Sequence, residues 1–428
     1  MPLRFLHFAD LHLGIENYGR LDPGTGLHSR IRDFVGSLSF VFDLAIERNV
    51  DLVVFAGDAY KTCDPTPTHQ REFALHLRRL HQAGIPIVMV VGNHDTPVAF
   101  GKATSVDIFS ALELDNTYVI RRPDLLRLET RSGPIQIAGL PWPTRGVLRT
   151  HEDFKNLPQE ELATKIREIC STQIDEFARQ LDPGIPSLLA AHVAAAEATY
   201  SGSERTAIIG QDPTLLTGTL ANPAFDYVAL GHVHKHQDLH SGQRPPVVYS
   251  GSIERIDFGE EKEEKGVCLV SIEDDPTSPT GRTTSFEFAP TDARRFVTIQ
   301  LEVLEEEDPT QAIVEAIAET DIDDAIVRIA YTLHSETAPP INLEQVRQAL
   351  APAFFVAGIL PQKEPTTRLR RAGVSEEMGL GDALDRYIDN NPHLQEHRAT
   401  LQRYADELDR QIDLAPVDAG DRPHSHSD

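Results

Sequence analysis

The chain is short of several things, and each shortage narrows what it does. Its three cysteines, Cys63, Cys170 and Cys268, stand at no metal-like spacing. They argue against a disulfide framework and for a reducing compartment, so a cytoplasmic setting is expected. No apolar run reaches the roughly 18 residues that a membrane-spanning helix needs. The first residues, Met1-Pro2-Leu3-Arg4-Phe5-Leu6-His7, enter a half-alternating strand pattern at once and lack the three regions of a signal peptide. Positive charge is scarce: 40 Lys and Arg face 66 Asp and Glu, a net charge of −26. This excludes a nucleic-acid binder that works by bulk positive charge. A polyanionic substrate would need local cations, bound metals or a partner to hold it. No Gly-x-x-x-x-Gly-Lys-Ser/Thr phosphate loop occurs, so any ATPase activity is expected on another chain.

What is present points to a layered α/β protein. The 428 residues suffice for two or three domains, and 40% hydrophobic with 25% charged residues is ordinary for a globular fold. Over about the first 230 residues, short apolar runs alternate with helical stretches. Leu3–Phe8, Leu52–Ala56, Ile87–Val91, Ile135–Leu140, Ser187–Ala191 and Tyr227–Leu230 read as strands. Ile31–Ile46, Gln70–Gln82 and Glu160–Leu181 read as helices. Val247–Ser250, Val267–Ile272 and Ser285–Phe288 follow closely on one another and suggest a second, more antiparallel sheet. The polar stretch Glu273–Thr284 is a loop. From Phe296 to Ile359 the pattern is strand, helix, strand, helix, strand, a small α+β domain. The expected division is 1–290, 291–360, a linker at 361–376, C-terminal helices at 377–414 and a disordered tail at 415–428.

Polar residues fall at the ends of five of these strands. Leu3–Phe8 runs into Asp10 and His12, Leu52–Ala56 into Gly57-Asp58, and Ile87–Val91 into Gly92-Asn93-His94-Asp95. Ser187–Ala191 runs into His192, and Tyr227–Leu230 into Gly231-His232-Val233-His234. Carboxyl ends of parallel strands line one crevice, so these loops can converge. Gly57, Gly92 and Gly231 let the backbone turn there with no side chain in the way. Asp10, His12, Asp58, Asn93, His192, His232 and His234 are more ligands than one ion takes. Two ions bridged by a carboxylate would use them, clamping a phosphoryl group between them. Mixed carboxylate and imidazole donors suit Mn²⁺, Fe²⁺ or Zn²⁺ better than Ca²⁺. Taken singly, each motif also has a plain reading as a turn, a helix cap or a satisfied buried histidine.

Taken together, the series resembles the calcineurin-like metallophosphoesterase superfamily. Within it, the chain is similar to the DNA double-strand-break repair nucleases, the family of SbcD subunits of bacterial SbcCD complexes. The narrower likeness lies in Phe8-Ala9-Asp10-Leu11-His12-Leu13-Gly14, in Tyr249-Ser250-Gly251-Ser252-Ile253-Glu254-Arg255 and in Asp257-Phe258-Gly259-Glu260. It covers about residues 1–360. The resemblance implies a layered α/β/β/α core, a DNA-capping α+β domain and C-terminal helices that grip the coiled coil of an SMC-like ABC ATPase, the SbcC-type partner. It implies a homodimer and a dimanganese DNA exonuclease, with endonuclease as a second mode, serving DNA repair and recombination. One manganese would take Asp10, His12, Asp58 and His234; the other would take Asp58, Asn93, His192 and His232. His94 matches the non-ligand histidine that protonates the leaving oxygen.

One departure stands out. Superfamily phosphatases continue Gly-Asp-x-x-Asp-Arg-Gly, whereas here Gly57-Asp58-Ala59-Tyr60 leads to Lys61-Thr62-Cys63, which argues against the phosphatase branch. Lys61, Arg20 and Arg255, and also Arg30, Lys102 and Lys235, lie near the motifs in sequence and are candidates to hold substrate phosphates. Two rival functions stay open: a phosphodiesterase of the same fold acting on a small substrate, and a non-catalytic scaffold.

Overall fold

A computed structural model describes residues 2–97, 101–112, 114–144, 157–202, 213–304, 307–334 and 339–362, with 384–385, 388, 395 and 397–404. Strands β1 (Leu3–Phe8), β2 (Leu52–Phe55), β3 (Ile87–Val90) and β4 (Thr117–Ile120) run parallel in one sheet. β5 (Asp124–Thr130) turns back antiparallel along β6 (Gly133–Leu140) and opens a second sheet. Beside β6 lies β7 (Ser187–His192); β8 (Ala194–Ala195) and β9 (Thr214–Leu215) form a small separate pair. The second sheet continues through β10 (Tyr227–Gly231), β11 (Gln237–Asp238) and β12 (Val247–Tyr249), in the order β11-β12-β10-β7-β6-β5.

The expected antiparallel sheet over Val247–Phe288 does not form. β12 pairs parallel with β10, whereas β13 (Gly266–Asp274) and β14 (Arg282–Pro290) return to the first sheet and extend it beyond β1. Apolar periodicity marks a segment as a strand but does not name the strand it pairs with, so the sequence pattern could not separate the two arrangements.

The two sheets face each other. Leu52, Val54 and Val88 of the first pack with Ile137, Leu188, Ala190 and Ala229 of the second in one buried layer. Helices Ser29–Glu47 and Pro67–Gln82 cover the outer face of the first sheet, and helix Gln159–Gln180 covers that of the second. β2, β3, β7 and β10 are buried at every position, as strands covered on both faces must be. Each fully buried Leu, Val or Phe stabilises this α/β/β/α stack by about 1.5–3 kcal/mol. Helix starts are marked in the sequence: the Thr66 side chain accepts the His69 N–H just before Pro67, and His28 accepts from Arg30.

A smaller layer follows. β15 (Phe296–Val303), β16 (Ile326–Leu333) and β17 (Phe355–Pro361) form a three-stranded sheet, with helices Pro309–Ala318 and Leu343–Ala349 packed on it. Core and small layer belong to one compact unit, Met1–Leu360. Arg294 joins them: it grips Asp33 of helix Ser29–Glu47 at 2.7 and 2.8 Å, and its guanidinium lies 3.6 Å over the Phe354 ring.

The second unit is Pro361–Asp428. Within it, residues 384–385, 388 and 398–404 are helical. Asp385 accepts from Arg398 at 2.8 Å and from Gln402 at 2.5 Å, tying the two helical pieces together. The expected linker at 361–376 falls, beyond its first two residues, outside the described residues, as do most of the expected C-terminal helices at 377–414 and the tail at 415–428.

Candidate metal centre

The five loops converge, though not in the crevice of a single open sheet. Those after β1, β2 and β3 come from the first sheet, those from β7 and β10 from the second. The backbone is bent hard to bring the side chains in. Asp10 (φ 54°), His12 (φ 48°), Asp58 (φ 63°) and His232 (φ 100°) all lie in the left-handed region. Four such non-glycine residues in one place store strain of about 1–3 kcal/mol each, which persists only where the surroundings over-determine it.

The glycines act in two ways. Gly57 has φ 104°, the bend expected of it. Gly92 and Gly231 keep ordinary backbone angles and are needed for room: a Cβ on Gly92 would strike the Asp58 carboxylate, and one on Gly231 the Ala56 carbonyl.

The side chains fall into two groups. In the first, Nε2 of His12 lies 3.0 Å from Nε2 of His234, and an oxygen of Asp10 lies within 4.8 Å of both. In the second, the Asn93 side-chain oxygen is 2.9 Å from Nε2 of His192 and 3.0 Å from Nδ1 of His232. Asp58 stands between them, its Oδ2 3.7 Å from His12 and 3.3 Å from His192. Every one of these side chains but Asn93 is buried.

The electrostatics without a cation are lopsided. Burial, reinforced by His94, holds His12 well below its ordinary value despite Asp58. Burial with His192 takes His232 down to about 3. Burial opposes ionisation of both Asp58 and His192, but each holds the other charged, so the carboxyl is driven down and the imidazole up. The donor set therefore fits divalent cations. Carboxylate oxygens face imidazoles in a buried space, those of His12 and His232 held neutral, and Nε2 of His232 has no hydrogen-bond partner among the described residues.

The profile of the calcineurin-like phosphoesterase family matches residues 3–236, which hold all seven side chains. The chain belongs to that family. Over 274 residues, 63% of this chain and 66% of the relative, it is 27% identical to the SbcD subunit of the SbcCD nuclease of Bacillus subtilis (strain 168). Over 279 residues, 63% of this chain and 57% of the relative, it is 25% identical to Uncharacterized metallophosphoesterase YhaO of the same organism. The chain thus spans less than two thirds of either relative's length. A looser likeness, TM-score 0.38 at 14% identity over 68% of this chain and 55% of the other, is to a 5′-nucleotidase precursor from Thermus thermophilus.

Around the phosphoesterase ligands the structure places the remaining candidates. His94 is exposed; its N–H meets Asp58 at 2.8 Å and its Nδ1 donates to the Lys61 carbonyl at 2.7 Å. A ring nitrogen of His94 lies within 4.8 Å of His12 and Asp58. Lys61 thus contributes its carbonyl here, and its side chain is exposed, as are those of Arg20 and Lys102. Lys235 is half-buried. Arg255 and Arg30, the other two candidates, spend their guanidinium groups within the protein. Arg255 gives its guanidinium to the carbonyls of Glu263, Ala293 and Arg294, and buried Arg30 gives its own to Asp33 and the Arg255 carbonyl. Both are occupied in joining core to small layer.

Three supporting residues went unrecognised in the sequence. Buried Asp95 accepts from the N–H groups of Asp58, Ala59 and Gly92 and from the Ser105 hydroxyl, locking two ligand loops together. Burial, and then the Asp58 charge, push its carboxyl up. Trp142, the chain's one tryptophan, tilts over His232 with ring centres 4.8 Å apart. Glu260 reaches Nδ1 of His234 at 2.9 Å; burial opposes its charge, but Lys265 and His234 bring the carboxyl down to about 2. Asp95 had a visible signal, its place beside Asn93 and His94. Glu260 closes the Asp257-Phe258-Gly259-Glu260 run that carries part of the resemblance, but nothing in that run pointed to His234, and Trp142 had no signal, since it lies far along the chain from the motifs it faces.

Proposed function

We propose that this phosphoesterase is a dimanganese DNA nuclease, exonuclease first and endonuclease second, acting in DNA repair with an SMC-like ABC ATPase. The observation that carries the two-ion reading is the place of Asp58, whose Oδ2 faces His12 on one side and His192 on the other. On this reading Asp10, His12, Asp58 and His234 hold one ion, and Asp58, Asn93, His192 and His232 the other. Bound there, the pair supplies neutralisation of the phosphodiester charge and activation of water.

The chain's own residues do the rest. Asp95 keeps the Asp58 and Asn93 loops in register. Trp142 walls the His192–His232 side against water. His94, its Nδ1–H held by the Lys61 carbonyl, carries the mobile proton on Nε2 and delivers it to the leaving 3′ oxygen. An extended substrate is favoured by a cleft of about 670 Å³ between core and small layer. Its lining starts at Lys235, next to His234, and includes Lys262, Thr298, Gln300 and Arg328. The small layer is proposed to cap DNA there, in keeping with the likeness to a nuclease. The homodimer and the ATPase partner rest on that likeness alone.

The test is hydrolysis of linear DNA, hairpin DNA and cyclic nucleotides, with manganese and after chelation. Manganese-dependent cleavage of DNA is expected. Hydrolysis confined to cyclic nucleotides would replace the reading with a small-substrate phosphodiesterase, and inertness on all three with a scaffold.

A further inference from the structure

Glu260 belongs to no ligand group, yet it is fully buried beside one. Its two oxygens do different work. Oε1 accepts Nδ1–H of His234 at 2.9 Å, whereas Oε2 accepts the Ile256 N–H at 3.0 Å and the Lys265 ammonium at 3.0 Å. Lys265 is as buried as its partner and gives further protons to Glu263 at 2.9 Å and to the His234 carbonyl at 3.1 Å. One ammonium therefore grips both the backbone of His234 and the carboxylate that holds its ring. The turn bearing Glu260 is itself clamped on both sides. Phe258 packs edge-on against Tyr18 and Phe296 with Arg328 over its ring, and Glu261 accepts the N–H and hydroxyl of Thr298 on β15.

We propose that Glu260, anchored by Lys265, is a positioning residue of the metal centre that fixes His234 in its Nδ1–H tautomer with Nε2 bare toward His12. A structural ion pair would need only the two charges to meet. Here one carboxylate oxygen is turned away from the ammonium and onto an imidazole whose other nitrogen lies 3.0 Å from a second imidazole. A carboxylate on the far nitrogen of a ligating histidine orients the ring and raises its basicity, and its loss costs about 10–100-fold in metal affinity. Glu260 serves one ion only, because the Asn93–His192–His232 group makes no contact with it among the described residues.

The inference rests on the dimetal reading, and the experiment separates the two. Manganese binding to the full chain is followed by electron paramagnetic resonance. Wild type is expected to hold two ions; a wild type that holds none overturns the dimetal reading and this inference with it. Glu260→Leu/Lys265→Met removes the two fully buried charges together, so neither is left facing an empty partner, and of the remaining charges only Glu263, which reaches solvent, loses its contact with Lys265. It is expected to keep the metal-free melting temperature and one ion at native affinity, and to bind the other about 10–100-fold more weakly. Two ions at native affinity, or equal weakening of both alongside a lower melting temperature, overturns the inference. Should the double variant fail to fold, nitrogen-15 shifts of the His234 ring in metal-free wild type at about pH 8, above the ordinary histidine range, still decide. Protonation on Nδ1 supports it, and protonation on Nε2 overturns it.

Discussion

Asp58 faces both histidine groups, and its backbone is bent to do so. Asp58→Ala should therefore lose both ions and all hydrolysis, whereas His94→Ala should keep both ions and lose about 10²–10⁴-fold in rate, the worth of general acid catalysis. Trp142 offers the readout. It is the sole tryptophan and sits on His232, so manganese should quench the fluorescence of wild type and His94→Ala but not of Asp58→Ala. If His94→Ala loses an ion, His94 is a ligand and not the acid. The seven residue identities were legible in the sequence because Asp, Asn and His at strand ends stand out against apolar runs. Their partners were not, because Glu260 and Trp142 come from distant loops.

At the scale of elements, β1 carries a cost that shows up as pH dependence. His7 lies between the sheets, Nδ1 3.2 Å from the Tyr227 hydroxyl and Nε2 3.2 Å from the Leu230 carbonyl. Burial takes it from 6.5 to about 3, the Leu230 carbonyl opposing and His236 assisting. Between those values the unfolded chain binds a proton that the folded chain does not. The stability tied to a neutral His7 is therefore whole above about pH 6.5 and drains away as pH falls toward 3. At about 1.4 kcal/mol per pH unit, the drop from about pH 7 to about pH 5 is about 2 kcal/mol. His7→Phe should cut the acid sensitivity of the metal-free protein by that amount, even while leaving the Leu230 carbonyl unpaired and the protein less stable at neutral pH. Urea unfolding at the two pH values measures it, and an unchanged difference would mean that His7 is protonated in the fold. The strands buried on both faces were legible in advance as apolar runs, and several alternating ones as half-buried strands. β4 and β5, at sheet edges and half exposed, show no continuous apolar run and went unread.

At the scale of the whole molecule, charge and division into units point the same way. Residues 361–428 carry 14 acidic side chains against 9 basic, a poor surface for DNA. The second unit, Pro361–Asp428, holds the expected C-terminal helices, and 384–385, 388 and 398–404 are helical among its described residues. On the proposed reading these helices meet the ATPase, as amphipathic helices laid in a groove. A chain cut near residue 375 retains the compact unit Met1–Leu360 and should still cleave DNA with manganese while no longer co-purifying with the ATPase. Undiminished ATPase binding by the cut chain, or its unfolding, counts against the helices as the docking element.

Local chemistry written along the chain was enough to determine most strands, the long helices, the small α+β layer and the seven candidate donors that the fold brings together, because periodicity and residue type are properties of short segments. Which sheet each strand joins was decided only in three dimensions. Nothing in the residue patterns of β12, buried throughout, or of β13 and β14, buried in part, names a sheet, and only the packing of two sheets face to face assigns them. The same packing brings the ends of β1, β2 and β3 against those of β7 and β10, and so makes two ligand groups with Asp58 between them. It also turned Arg255 and Arg30 inward as joints, because a guanidinium beside free carbonyls satisfies them whatever its distance from a motif.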